Sequence, residues 1–265
     1  MIHTDSFFSR SRLWTAASLL DFTPLTAAQK EHLTKVYAAL AACSLITFAG
    51  AAVPLRYLSF HPLLLLGCFL GSLLYVTFTA PRMGSYSKVA LPVWWLHLSQ
   101  PTDMKRMIAA GIMAFSQGLL MREVVHYMLF INPEIITTAL FATIAIFTCF
   151  SVGSLLMSSR LALYLGGLAF SLSMYISLVR FTNIFVRSRF VSDFSDVAML
   201  IAFCGFVVFD TQITLRDFNN GSRDFLTHAV MLYGDVISIF MKITKILHEK
   251  EKKKENKKSA PRPLF

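Results

Sequence analysis

Apolar residues run along the chain in blocks separated by short polar patches, at 34–54, 61–80, 107–131, 135–157, 161–181, 197–215 and 226–247. A bilayer core of about 30 Å needs about 20 residues of helix, so each block has the length of a membrane span. Only helices and closed barrels satisfy their backbone polar groups in lipid. The expected fold is therefore an all-α, polytopic helical membrane bundle of six to seven transmembrane segments. Short connectors, "NPE" at 132–134 and "SSR" at 158–160, predict antiparallel hairpins between neighbouring spans. Residues 1–33 are expected to form a cytosolic N-terminal segment, 34–247 one membrane domain, and 248–265 a disordered basic tail. The connector from Pro81 to Arg106 is longer. Its Pro92, Trp94 and Trp95 predict a segment lying at the membrane interface.

Composition agrees, with 55% of the 265 residues apolar and 15% charged. The net charge of +10 resembles a nucleic-acid signature until it is located. The stretch "EKEKKKENKKSAPRP" from Glu249 to Pro263 holds seven Lys or Arg against three Glu, which reads as a cytosolic tail beside anionic lipid. The expected partner is the lipid bilayer, and nucleic acid is disfavoured. No basic start followed by an apolar run and a small-residue cleavage site opens the chain, so no removable signal peptide is expected. Cys43, Cys68, Cys149 and Cys204 each sit alone in a different apolar block and read as small apolar residues.

Loop charge argues orientation. With the N-terminus inside, eleven Lys or Arg fall in cytosolic loops and four (Arg56, Arg180, Arg187, Arg189) on the other side. A tail that is also cytosolic requires an even number of crossings, and seven blocks conflict with that. Block 226–247 carries His228, Asp235, Lys242 and Lys245, so it either re-enters or spans with the N-terminus on the far side.

Two acids stand out. Asp210, in "CGFVVFDTQ", is followed by the turn "RDFNNGSRD", and Asp235 lies in the next block. The midpoint between them falls in that turn, so an antiparallel hairpin brings both carboxylates to similar depth, facing one another. An ionised Asp near the bilayer centre costs about 2.5 to 3.5 kcal/mol on insertion scales, so such a pair calls for a shared proton, a cation or a basic partner. A carboxyl pair in contact titrates as a unit, which is the physical make-up of a pH sensor. Arg122 and His126 lie four apart on one helical face near the end of their block, beside Glu123, and read as the mouth of a polar cavity rather than a metal site.

The stretches "KVYAAL", "NPEIITTALFATIAIFTCFS", "LYLGG", "CGFVVFDTQ" and "GDVISIFMKI", followed by a Lys-rich tail, resemble the transmembrane Bax inhibitor motif family from about Thr23 to Lys258. The resemblance implies a six- or seven-segment fold in the endoplasmic reticulum membrane, suppression of stress-induced cell death, and a pH-dependent calcium leak. It implies a di-aspartyl sensor, whose residues correspond here to Asp210 and Asp235, with Ca²⁺ as the transported ion and no cofactor. It also implies an arginine, after the second span, that latches the pair; Arg82 and Arg106 are the candidates, and the long connector departs from the family's short charged linker. Contacts with Bcl-type cell-death regulators follow from it too, and an oligomer is compatible with it.

Two rivals frame this reading. A non-transporting regulator would act by binding cell-death proteins, with the basic tail as a contact surface. An intramembrane aspartyl protease also pairs two aspartates, but its Gly-x-Gly-Asp motif meets "LYGD" here, with Leu232 in place of the first Gly, and no apolar span follows 247. The expected protein is not an enzyme.

Overall fold

The computed structural model describes residues 25–54, 61–79 and 103–259. They form seven helices: α1 (Ala27–Ala52), α2 (Pro62–Phe78), α3 (Asp103–Ile131), α4 (Pro133–Leu155), α5 (Ser159–Val186), α6 (Arg189–Asn219) and α7 (Phe225–Ser259). Among the described residues, α1, α3, α4, α5 and α6 are long and apolar enough to cross a membrane, and α2 is an apolar helix of 17 residues. The interfacial segment expected between 81 and 102, and Arg82 within it, lie outside the described residues.

Local chemistry sets the helix starts. Thr26 and Gln29 exchange side-chain to backbone bonds in a capping box before α1. His61 and Asn132 cap α2 and α4, each followed by a Pro whose missing N–H would be unpaired there anyway. Between α6 and α7, Gly221 takes φ 96°, which favours glycine.

α6 and α7 run antiparallel along the bundle. Pairs along α6 and α7 step in opposite directions: Asp217 with His228 (3.5 Å), Asp196 with Lys245 (2.7 Å), Asp193 with Lys253. No re-entrant turn interrupts α7, which stays helical to Ser259. This corrects the expectation of a disordered tail from 248. Lys and Glu are good helix formers, Lys254 holds Glu251 one turn back (3.2 Å), and Lys253 ties the extension to α6. The start of α1 and the tail therefore lie at opposite ends of the bundle.

α7 is also the packing hub. Its first half, Leu226, Ala229, Leu232 and Tyr233, shares one buried core with Val36 and Leu40 of α1, Val76 of α2 and Met113 of α3. Its second half, Ile239, Phe240 and Ile243, shares another with Met121 of α3, Ile136 of α4 and Val207 of α6. α1 and α3 cross closely: a Cβ on Gly118 would lie 3.0 Å from Ala51 N and 3.0 Å from Gly50 Cα, while the Thr47 hydroxyl reaches Ala114 O (3.0 Å). Large apolar side chains remain exposed around the outside, among them Phe130, Phe141, Phe170 and Phe185. That is the surface a lipid solvent requires.

Candidate functional site

Asp210 on α6 and Asp235 on α7 meet side chain to side chain. Asp235 is buried, its Oδ2 has no hydrogen-bond partner among the described residues, and Asp210 is half-buried. At 1.5 Å per residue, both lie about 15 Å from the α6–α7 turn, half the thickness of a bilayer core. The hairpin sets this depth, since its two arms leave one turn in opposite directions.

Hydroxyl contacts also join the helices near the middle of the bundle. Tyr37 of α1 bonds Ser151 of α4, which reaches the Thr211 hydroxyl of α6 (3.3 Å), next to Asp210. Tyr233 of α7 bonds the Thr47 hydroxyl of α1 (2.6 Å). Ser154 donates to Val208 O (2.8 Å), and Gln212 reaches the carbonyls of Ser154 and Met157 where α4 ends. Hydroxyls of α1, α4, α6 and α7 therefore bond one another across these helices.

Arg106 does not reach the pair. Its guanidinium grips both oxygens of Asp224 (3.0 and 2.8 Å) and also donates to Val76 O (3.2 Å) and the Thr227 hydroxyl (3.1 Å). Asp224 precedes α7, and its Oδ2 accepts from the Thr227 hydroxyl as well (2.6 Å). Burial pushes the Asp224 carboxyl up, but the bonds from Arg106 and Thr227 outweigh it and hold the group below its ordinary value. This ties α2, α3 and α7 together at the end where α7 begins. At the same end, Gln29 bonds Asn219 (2.8 Å), and the buried His32 ring lies on Phe218 and against His228 (3.4 Å), fastening α1 to the turn.

Arg122 is buried and His126 half-buried, with His126 against Val53 O (3.3 Å) at the end of α1, while Glu123 is exposed. His126 therefore joins α3 to the end of α1. Among the described residues, no cluster of three or more His, Cys, Asp or Glu could hold a metal ion.

Sequence reasoning missed Asp196 of α6. It is buried, and three cations converge on it: Arg180 of α5, Lys242 (3.2 Å) and Lys245 (2.7 Å) of α7. The partners lie 16 to 49 positions away on other helices, so no local motif announces them.

Residues 29–252 match the family described as Inhibitor of apoptosis-promoting Bax1. The chain is 33% identical to Bax inhibitor 1 of Sus scrofa over 246 residues, covering 91% of this chain and 95% of the relative. It is 33% identical to Bax inhibitor 1 of Homo sapiens over 244 residues, with the same coverage. Bax inhibitor 1 of Arabidopsis thaliana is 30% identical over 255 residues, or 94% of this chain and 95% of the relative.

Proposed function

Because the chain belongs to the Bax inhibitor family of cell-death-inhibiting, multi-pass membrane proteins, we propose that it suppresses stress-induced cell death from the endoplasmic reticulum membrane and mediates a pH-sensitive calcium leak. The observation that carries the reading is the contact of Asp210 with Asp235 at mid-bundle. The pair is the sensor. One shared proton lets two carboxyls hold α6 to α7, whereas two charges at contact distance in a water-poor interior repel. Loss of that proton favours an open path. The same oxygens are hard ligands that suit passing Ca²⁺, and two carboxylates are too few to store it. No enzymatic step is assigned to the pair.

The test is calcium flux from proteoliposomes of purified protein between roughly pH 6 and pH 8, with Asp210→Asn and Asp235→Asn. Flux rising with pH in the wild type, and a flattened response in both variants, is the expected result. Unchanged flux and pH response in both variants would sink the sensor assignment.

The lysine-rich end of α7 is proposed to face the cytosol. Since α1 begins beside the α6–α7 turn and the tail lies at the other end of α7, the start of α1 then faces the lumen, in place of the cytosolic N-terminal segment expected from loop charge. An N-terminal glycosylation tag should be modified in sealed microsomes; an unmodified tag with a protease-protected tail would reverse the orientation. The tail's seven cations bring its end level with the eleven at the other, which is why loop charge alone left the choice open.

A further inference from the structure

Near the α5–α6 turn, a groove of about 450 Å³ opens to the outside, with Ser177, Arg180, Asn183, Ser192 and Lys245 among its lining residues. Its polar wall is cationic. One buried carboxylate, Asp196, faces three cations: Arg180 and Lys242 share its Oδ1 while Lys245 takes Oδ2. Two positive charges remain uncompensated in the cluster. The Arg180 Nε is buried without a hydrogen-bond partner among the described residues, and Lys245 is about half exposed to the groove. The nearby acid Asp193 is already engaged by Lys253, while Arg187 and Arg189 stand exposed on the adjoining turn.

Depth and rim identify the anion. Lys245 lies about 30 Å along α7 from its start, at the level of a headgroup layer on the far side of the bilayer core. Arg180 stands about 9 Å, or six residues, before the end of α5, within snorkelling distance of that layer. Phe181 and Ile184 complete the groove and are exposed, and Phe185 and Phe190 extend the apolar surface beyond it. A small hydrated anion has no use for such a rim, whereas acyl chains do.

We propose that this groove binds the phosphate headgroup of an anionic phospholipid, held by Arg180 and Lys245 with its acyl chains along the exposed apolar face of α5. A bound headgroup neutralises the excess charge of the Asp196 cluster and fastens α5 to α7, so the leaflet's lipid composition sets how firmly the outer helix holds the hub.

Native mass spectrometry of the full-length protein, offered equal amounts of dioleoylphosphatidylserine and dioleoylphosphatidylcholine, tests this. The wild type should retain the serine lipid with about 25-fold preference, and each cation removed should reduce this about 5-fold. Lys245→Gln and Arg180→Gln/Lys245→Gln remove one and two cations. Ser177→Phe fills the groove without touching an ion pair, so loss of preference with an unchanged melting temperature separates binding from misfolding. Lys257→Gln/Lys258→Gln in the tail should leave the preference within about 2-fold of wild type. No preference in the wild type, retention in Ser177→Phe, or loss only in the tail variant would overturn the proposal. So would displacement of the lipid by millimolar inorganic phosphate, which would make the site one for free phosphate.

Discussion

The buried acids of this bundle fall into two kinds. At one end Asp224 is gripped through both oxygens by Arg106, and at the other Asp196 is surrounded by Arg180, Lys242 and Lys245. Midway between them, Asp210 and Asp235 meet as carboxyl against carboxyl. An acid with a fixed counter-ion keeps its charge across physiological pH and acts as a rivet. On the proposed reading, two acids that share a site change charge with the proton supply, so the middle of α6 and α7 would be poised while the ends are pinned. The proposed switch needs pinned ends, since a free α7 would relieve repulsion by drifting.

The largest expected effect comes from pulling a rivet. Arg106→Ala leaves Asp224 buried and uncompensated beside three helices, and breaking one side of such a pair costs about 3–5 kcal/mol. The melting temperature in detergent should fall accordingly. Because the Asp224 carboxyl is held below its ordinary value, the stability it contributes is present above about pH 4 and is lost as pH falls through the folded value. The wild type should lose melting temperature on that acid side, and Arg106→Ala should flatten the loss. A smaller effect is expected at the α1–α3 crossing. Gly118→Val puts a side chain against the backbone of Gly50 and Ala51, an overpacking of about 1–3 kcal/mol, whereas Gly111→Ala meets only Ile46 Cδ1 at 3.8 Å and should be tolerated. Equal losses in the two glycine variants would show that the crossing is not tight.

The seven helices were legible because a lipid solvent writes a coarse signal: blocks of about 20 apolar residues punctuated by Pro, Asn and Gly. The juxtaposition of Asp210 and Asp235 was legible for a simpler reason, since both lie equally far from one turn. The ion pairs were not. Lys242 and Lys245 counted in sequence against α7 as a span, yet Asp196 sits opposite both and removes the objection. Arg180 read as a loop charge and Asp224 as a turn residue, because a counter-ion 16 or 118 positions away leaves no periodicity. The continuation of α7 past 247 was hidden likewise, its tie being Asp193 on the neighbouring helix.

Two weaker substitutions sharpen the contrast. Lys253→Gln removes a pair whose side chains are 61% and 34% exposed, so it should cost at most about 1 kcal/mol and separate solvent-facing from buried rivets. A cost near that of Arg106→Ala would mean that the end of α7 depends on this exposed pair.

The smallest stability effect is expected at the middle. Asp235→Asn keeps a side chain able to hydrogen-bond Asp210 and removes one of two like charges, so the melting temperature should stay level or rise by the equivalent of about 1 kcal/mol or less. The sign is the informative part, since Arg106→Ala removes a cation from an acid and Asp235→Asn removes an acid from an acid. Measured in the same detergent at neutral pH, the two should move the melting temperature in opposite directions or by very unequal amounts. A loss in Asp235→Asn as large as that in Arg106→Ala would mean that Asp235 holds an indispensable counter-ion, making the middle of the bundle a third rivet. A level or raised melting temperature, together with a flattened flux response to pH, would separate what the pair does from what holds the fold.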